Sequence, residues 1–176
     1  MKKYIKSISL ALAILSLPAC LPDEALFEDN GSHSIVEIYN LSSNRSASEP
    51  HASRNLSDLE YVSLDKSGFE FPVIVNFTGV DGAPEDVTVN LAIDEAIVAA
   101  VAGGIYTVLP TSAYSLPSSD VVSISKGTNR AEYLIRVDPS ALDLSKTYAI
   151  GIKITSASKG TISRNFSSGA YFFKIN

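Results

Sequence analysis

Val87-Thr88-Val89-Asn90-Leu91-Ala92-Ile93, closed by Asp94, decides the fold class. Its apolar residues Val87, Val89, Leu91 and Ile93 recur at every second position, which lines one face of a strand but no single face of a helix. Tyr148, Ile150, Ile152 and Ile154 repeat the pattern near the C-terminus. Working outward from these two, strands are expected over 35–41, 69–77, 121–125, 132–137 and 170–175. In 69–77, Phe69, Phe71, Val73, Val75 and Phe77 alternate with mostly polar positions, but Pro72 and Ile74 break the rule and point to an edge or a bulge.

One stretch departs from the strand period. Asp94-Glu95-Ala96-Ile97-Val98-Ala99-Ala100-Val101-Ala102 opens on a good N-cap, carries an acid in its first turn and stops at Gly103-Gly104. A short helix from Asp94 to Ala102 is expected. About seven strands, separated by turns such as Asp81-Gly82, Lys126-Gly127 and Lys159-Gly160, argue for a mainly β protein. The expected architecture is an immunoglobulin-like antiparallel β-sandwich spanning 34–176, with a closed barrel as the alternative. A Ser-, Asn- and Arg-rich stretch near 42–57, with Pro50, reads as a long polar loop.

The N-terminus reads as an address. Lys2, Lys3 and Lys6 precede an apolar run from Ile8 to Leu17, and Leu17-Pro18-Ala19-Cys20 follows. The run is about ten residues, against the roughly 20 that a membrane-spanning helix needs, so a signal peptide over 1–19 is expected. Leu17-Pro18-Ala19-Cys20 resembles the bacterial lipobox, which implies cleavage before Cys20 and lipid on its sulfur; Pro18 is an unusual occupant of its position. The chain has a single cysteine, and it sits where a lipobox would use it. Ordinary secretory cleavage after Ala19 is the alternative. Residues 20–33, with Asp23, Glu24, Glu28 and Asp29, read as an acidic flexible tether.

Charge narrows the partners. The chain has 14 basic and 19 acidic side chains, and removing residues 1–19 takes three lysines and no acid, leaving a formal net charge of −8. Such a balance repels nucleic acid. With no second cysteine, no internal disulfide is available, so the core must hold the fold by packing.

The run Val87 to Asp94, the Ala-rich helical turn after it, Tyr106, Leu109-Pro110 and Tyr114-Ser115-Leu116 resemble a domain of unknown function in Bacteroidetes cell-surface lipoproteins. Ile124-Ser125-Lys126-Gly127 and Ile154-Thr155-Ser156-Ala157-Ser158 resemble its later signatures. The resemblance covers roughly residues 34 to 176. It implies an immunoglobulin-like unit that usually precedes glycan-binding or glycoside-hydrolase modules. It also implies an outer-membrane lipoprotein, and the acidic pair behind Cys20 resembles the signal that turns such proteins outward.

Catalytic apparatus is not evident. His33 and His51 fall in the tether and the long loop, lack ligand spacing and read as solvated, so no metal or other cofactor is expected. Ser-x-x-Lys occurs at Ser63, Ser123 and Ser156, without the helix and companion motifs that nucleophilic serine needs. Asp81, Glu85 and Asp86 surround a turn but match no calcium loop. Asn40, Asn44, Asn55, Asn76 and Asn165 each open an Asn-x-Ser/Thr triplet, which carries little meaning behind a bacterial lipobox.

Saccharides are commonly held on aromatic faces, and the chain has eight tyrosines and no tryptophan. Tyr106 and Tyr114, flanking Leu109-Pro110, are the candidate ligand-binding pair, with partial burial as the competing reading. The expected function is a noncatalytic, surface-exposed accessory in binding or capture of glycans. Its partners are the membrane through Cys20, and polysaccharide or other surface lipoproteins. A structural or adhesion protein pairing through an edge strand is the alternative.

Overall fold

The computed structural model describes residues 34–41, 51–79, 81–101 and 104–175. The signal peptide, Cys20, the tether and the first part of the expected polar loop lie outside the described residues. Among the described residues eleven strands form two sheets: β1 (Ile35–Ile38), β2 (Ala52–Asn55), β3 (Phe69–Phe77), β4 (Val87–Ile93), β5 (Thr107–Val108), β6 (Tyr114–Ser115), β7 (Val121–Ile124), β8 (Arg130–Val137), β9 (Tyr148–Ala157), β10 (Thr161–Ile162) and β11 (Ser168–Phe173). The first sheet has the order β10-β1-β3-β8-β6, and the second runs β2-β11-β9-β4-β7 with β5 also on β9. The result is the sandwich expected from the sequence. Three short parallel pairings, β1 with β10, β2 with β11 and β5 with β9, depart from an all-antiparallel arrangement.

The deciding stretch behaves as its period requires. Val87, Val89 and Leu91 are buried between the sheets, together with Tyr148, Ile150, Ile152 and Ile154 of the neighbouring β9. Opposing aromatic rings close the core. Phe69 of the first sheet meets Phe173 of the second edge-on at 5.0 Å, and Phe71 meets Tyr171 at 5.3 Å. Such contacts add to the area burial that drives the two apolar faces together.

Helix α1 (Glu95–Ala100) begins where expected and ends two residues sooner, with Val101 already in extended backbone. Asp94 caps it, accepting the Ala96 N–H at 3.0 Å through Oδ1 and the Lys153 ammonium at 2.8 Å through Oδ2. The helix lies on the outer face of β9 and β11, where Ile97 and Val101 pack with Ala170. Gly151 makes that approach possible, because a Cβ there would lie 2.2 Å from the Asp94 carbonyl oxygen and 2.8 Å from the Ile97 Cβ. Both faces of β9 are therefore covered at this level, which explains the run of buried residues from Tyr148 to Ile152.

The polar stretch expected as loop is not loop throughout. Ala52–Asn55 is β2 and Leu56–Asp58 a 3-10 turn, with Ala52 and Leu56 buried. β2 pairs on one side only, with β11, and buries one of its four residues, so it carries no period. β5, β6 and β10, each two residues long, were not expected either.

Asp94 makes the fold sensitive to acid. Its hydrogen bonds to Lys153 and the Ala96 N–H hold its pKa below the ordinary 3.8. A carboxylate with a depressed folded-state pKa contributes stability that is complete above the unfolded value and is lost as pH falls through the folded one. Urea unfolding of the wild type and Asp94→Asn, which keeps a capping oxygen but no charge, is expected to differ at pH 7 and to converge as pH drops from 4 toward 2. A difference that does not change with pH contradicts this role.

Candidate functional site

The two sheets differ in what covers their outer faces. On the second sheet, α1 and the segment after it form a lid, and Tyr106 stacks on Phe172 at 4.6 Å with the rings 17° from parallel. On the first sheet, the outer face of β3 and β8 leaves Glu70, Glu132, Leu134 and Arg136 exposed, with Ile74 half-buried and Pro72 buried. Yet that open face carries apolar side chains. Ile35, Tyr39, Tyr61 and Leu134 are among the exposed large hydrophobics of the described residues, with Tyr61 56% and Leu134 44% accessible. Single exposed apolar residues are ordinary, whereas a contiguous group marks a contact surface.

The register shows how the group is assembled. Glu70 pairs with Arg136, Pro72 with Leu134, Ile74 with Glu132 and Asn76 with Arg130. By strand alternation these pairs stand on the outer face as successive cross-strand rows. The middle rows supply Pro72, Leu134 and Ile74, and Tyr61 arrives from the segment after β2. Together with Glu70 and Glu132 they line a shallow depression of about 380 Å³. At one border Arg136 and Glu70 form an ion pair at 3.6 Å. At the other the Arg130 guanidinium lies 3.6 Å over the Tyr39 ring, and its Nε–H donates to Asn76 Oδ1 at 3.4 Å.

Tyr61 is positioned by a buried amide. Asn40, 8% exposed, lies two residues beyond the end of β1. Its Oδ1 accepts from the Ile74 N–H at 3.1 Å and from the Tyr171 hydroxyl. Its Nδ2 donates to the Pro72 carbonyl at 2.7 Å and to the Tyr61 hydroxyl at 3.4 Å. All four hydrogen-bonding valences of the amide are thereby used. Burial pushes the Tyr171 phenol well above its ordinary pKa, which keeps its hydroxyl a donor. The arrangement also explains Pro72. β3 lies between β1 and β8, but β1 stops at Ile38, so the first half of β3 has a free side facing Asn40. Proline's missing N–H falls on that side and leaves no ladder bond unmade.

The residues singled out in the sequence are distributed differently. Tyr106 and Tyr114 do not form one exposed platform. Tyr106 is half-buried against Phe172, while Tyr114 sits on β6 at the edge of the other sheet, packed against the core. Burial, then the Glu95 charge, raises the Tyr114 pKa. With Ser112, Ser115, Arg136 and Asp138, Tyr114 lines a smaller depression of about 280 Å³ beyond the Arg136–Glu70 pair. His51 is not a solvated loop residue: it is half-buried beside β2, with Nδ1 2.8 Å from Ser168 Oγ. Asp86 accepts the Lys126 N–H at 2.8 Å, Glu85 pairs with Lys159 at 3.1 Å, and no metal-type cluster occurs among the described residues. Of the Ser-x-x-Lys serines, Ser123 and Ser156 lie on strands, and Ser156 accepts from Asn90 Nδ2 at 2.8 Å. No helix among the described residues is long and apolar enough to cross a membrane.

Residues 34–161 match the profile of a family described as an N-terminal domain, and the chain belongs to that family. No curated protein matches the chain. Among solved structures, it resembles a candidate carbohydrate binding protein from Bacteroides ovatus ATCC 8483, with 16% identity and a TM-score of 0.55 over 79% of this chain and 36% of that one. It also resembles a two-domain protein of unknown function from Bacteroides fragilis NCTC 9343, at 18% identity and TM-score 0.52, covering 88% and 49%. A third is an auxiliary nutrient binding protein from Bacteroides thetaiotaomicron VPI-5482, at 14% identity and TM-score 0.52, covering 77% and 47%. The chain spans between about a third and a half of these structures, and at such identities they share its fold. The family match and the Bacteroides neighbours fit the Bacteroidetes surface-protein family that the sequence resembles.

Replacing Asn40 tests the assembly of the site. In Asn40→Ala the Pro72 carbonyl, the Ile74 N–H and the Tyr171 hydroxyl all lose a partner, at about 1–3 kcal/mol for each group left buried and unpaired. Urea unfolding is expected to show a loss of roughly 3 kcal/mol or more, well above the ~1 kcal/mol of a typical substitution. A loss below 1 kcal/mol would mean that the amide does not join the sheets.

Proposed function

We propose that this protein is a noncatalytic lipoprotein module of the outer membrane, held by lipid on Cys20 and facing the cell exterior, that contributes to capture of glycans. The open face of β3 and β8 carries this reading. An aromatic ring and apolar side chains lie there in a shallow depression bordered by charged groups. Saccharides offer this kind of partner: a pyranose ring has an apolar face and a polar rim, and a shallow polar-edged surface can take one along its length. The carbohydrate-binding and nutrient-binding descriptions of two similar structures point the same way.

The noncatalytic part rests on what surrounds the candidate nucleophiles and bases. The Ser156 hydroxyl oxygen accepts from Asn90 Nδ2, and His51 Nδ1 lies against Ser168 Oγ in a part-buried contact.

Full-length protein purified in detergent and applied to a glycan array tests the binding claim. Retention on at least one polysaccharide is expected, weakened roughly tenfold by Tyr61→Ala, as expected for a lost aromatic contact, and unchanged by Tyr106→Ala. In cells, labelled palmitate should mark the wild type and not Cys20→Ser. Hydrolysis of any arrayed glycan overturns the noncatalytic reading, and labelling of Cys20→Ser overturns the anchor.

A further inference from the structure

We infer that the β3–β8 face selects uncharged, hydroxyl-rich saccharide over acidic polymers, and that Glu132 is the residue that sets this choice; the inference rests on the glycan reading above. It follows from which charges on the face are already committed. Arg136 is paired with Glu70 at 3.6 Å. Arg130 lies over Tyr39 and donates to Asn76, whose Nδ2 donates in turn to Glu37 Oε1 at 3.2 Å. Both cations that border the strip are thus engaged with neighbours. Glu132, opposite Ile74 in the register, has no ion pair among the described residues and lines the depression beside Glu70.

A ligand seated on Tyr61, Ile74 and Leu134 therefore meets in Glu132 an acceptor that carries negative charge. Sugar hydroxyls can donate to it, and such charge-assisted bonds are the stronger kind. A uronate or sulfate would instead bring a second negative charge beside the unpaired carboxylate of Glu132, in a protein already strongly acidic. Tyr61 offers its ring, placed by the hydrogen bond that its hydroxyl oxygen accepts from Asn40 Nδ2 at 3.4 Å. Ring stacking then supplies contact area, and the carboxylate supplies the sign of the selection.

The experiment compares full-length wild type, Glu132→Gln and Glu132→Lys, each in detergent, by titration with a neutral glucan, a neutral mannan, polygalacturonate and the cationic glucosamine polymer chitosan. Glu132 is exposed on β8, so both variants should fold; circular dichroism checks this. The wild type is expected to bind a neutral polymer and not polygalacturonate. Glu132→Gln should bind that neutral polymer about fivefold more weakly, the difference between a charged and a neutral acceptor. Glu132→Lys should acquire binding of polygalacturonate. Wild-type binding of polygalacturonate as tight as that of a neutral polymer overturns the inference while leaving glycan capture standing. Binding of chitosan alone overturns the uncharged class. Unchanged behaviour of both variants overturns the role of Glu132, and no binding to any of the four overturns both this inference and the reading beneath it.

Discussion

A single side-chain amide joins the two sheets and shapes the surface outside them. Asn40 follows β1 and does for β3 what further residues of strand would have done, satisfying the Ile74 N–H and the Pro72 carbonyl. The same oxygen accepts from Tyr171 in the opposite sheet, and the same nitrogen donates to Tyr61 on the outer face. A buried amide with any valence unmet costs about as much as a hydrogen bond contributes, so this position tolerates little change. Because all four are met, the amide couples core geometry to the placement of a surface ring. Its place in an Asn-Leu-Ser triplet is incidental to that role, since the side chain is buried.

The second constraint is asymmetry of cover. Asp94 starts a helix at the end of β4, Gly151 lets it sit against β9, and Tyr106 extends the cover over Phe172. The residue types that suggested a binding platform after the helix are used instead to close one face of the sandwich. The other sheet receives no such helix among the described residues, and Leu134, with Tyr61 beside it, remains exposed while Ile74 is half-buried. Hydrophobic area left in water is a cost to the free protein. A ligand that covers it recovers that cost, which connects the fold to the proposed function.

Strands facing the core were legible in the sequence because alternate positions must be apolar, as in Val87 to Ile93; in Tyr148 to Ile154 the alternation survives because Ala149 and Gly151 on the helix side are small. The helix was legible through its cap. β2 was not, since it buries little and pairs through a parallel partner far away in the chain. The open face leaves a trace in the sequence. Pro72 and Ile74 break the alternation of β3, and Leu134 does the same in β8. Only the register, which sets Pro72 against Leu134, shows these exceptions to be one patch. Tyr61 carries no local signal at all, because its role comes from a hydrogen bond to a residue 21 positions away. Tyr106 and Tyr114 were singled out for closeness in sequence, and the sandwich sends them to different sheets.

The central claim is that ligand sits on the β3–β8 face, beside the ring that Asn40 holds. Methyl NMR of the full-length protein in detergent, titrated with a neutral oligosaccharide, tests this most directly. The account predicts shifts at Ile74 and Leu134, with Ile97 and Val101 beneath the covered face unmoved. Shifts confined to Ile97 and Val101, or none at any of the four at saturating saccharide, would contradict it.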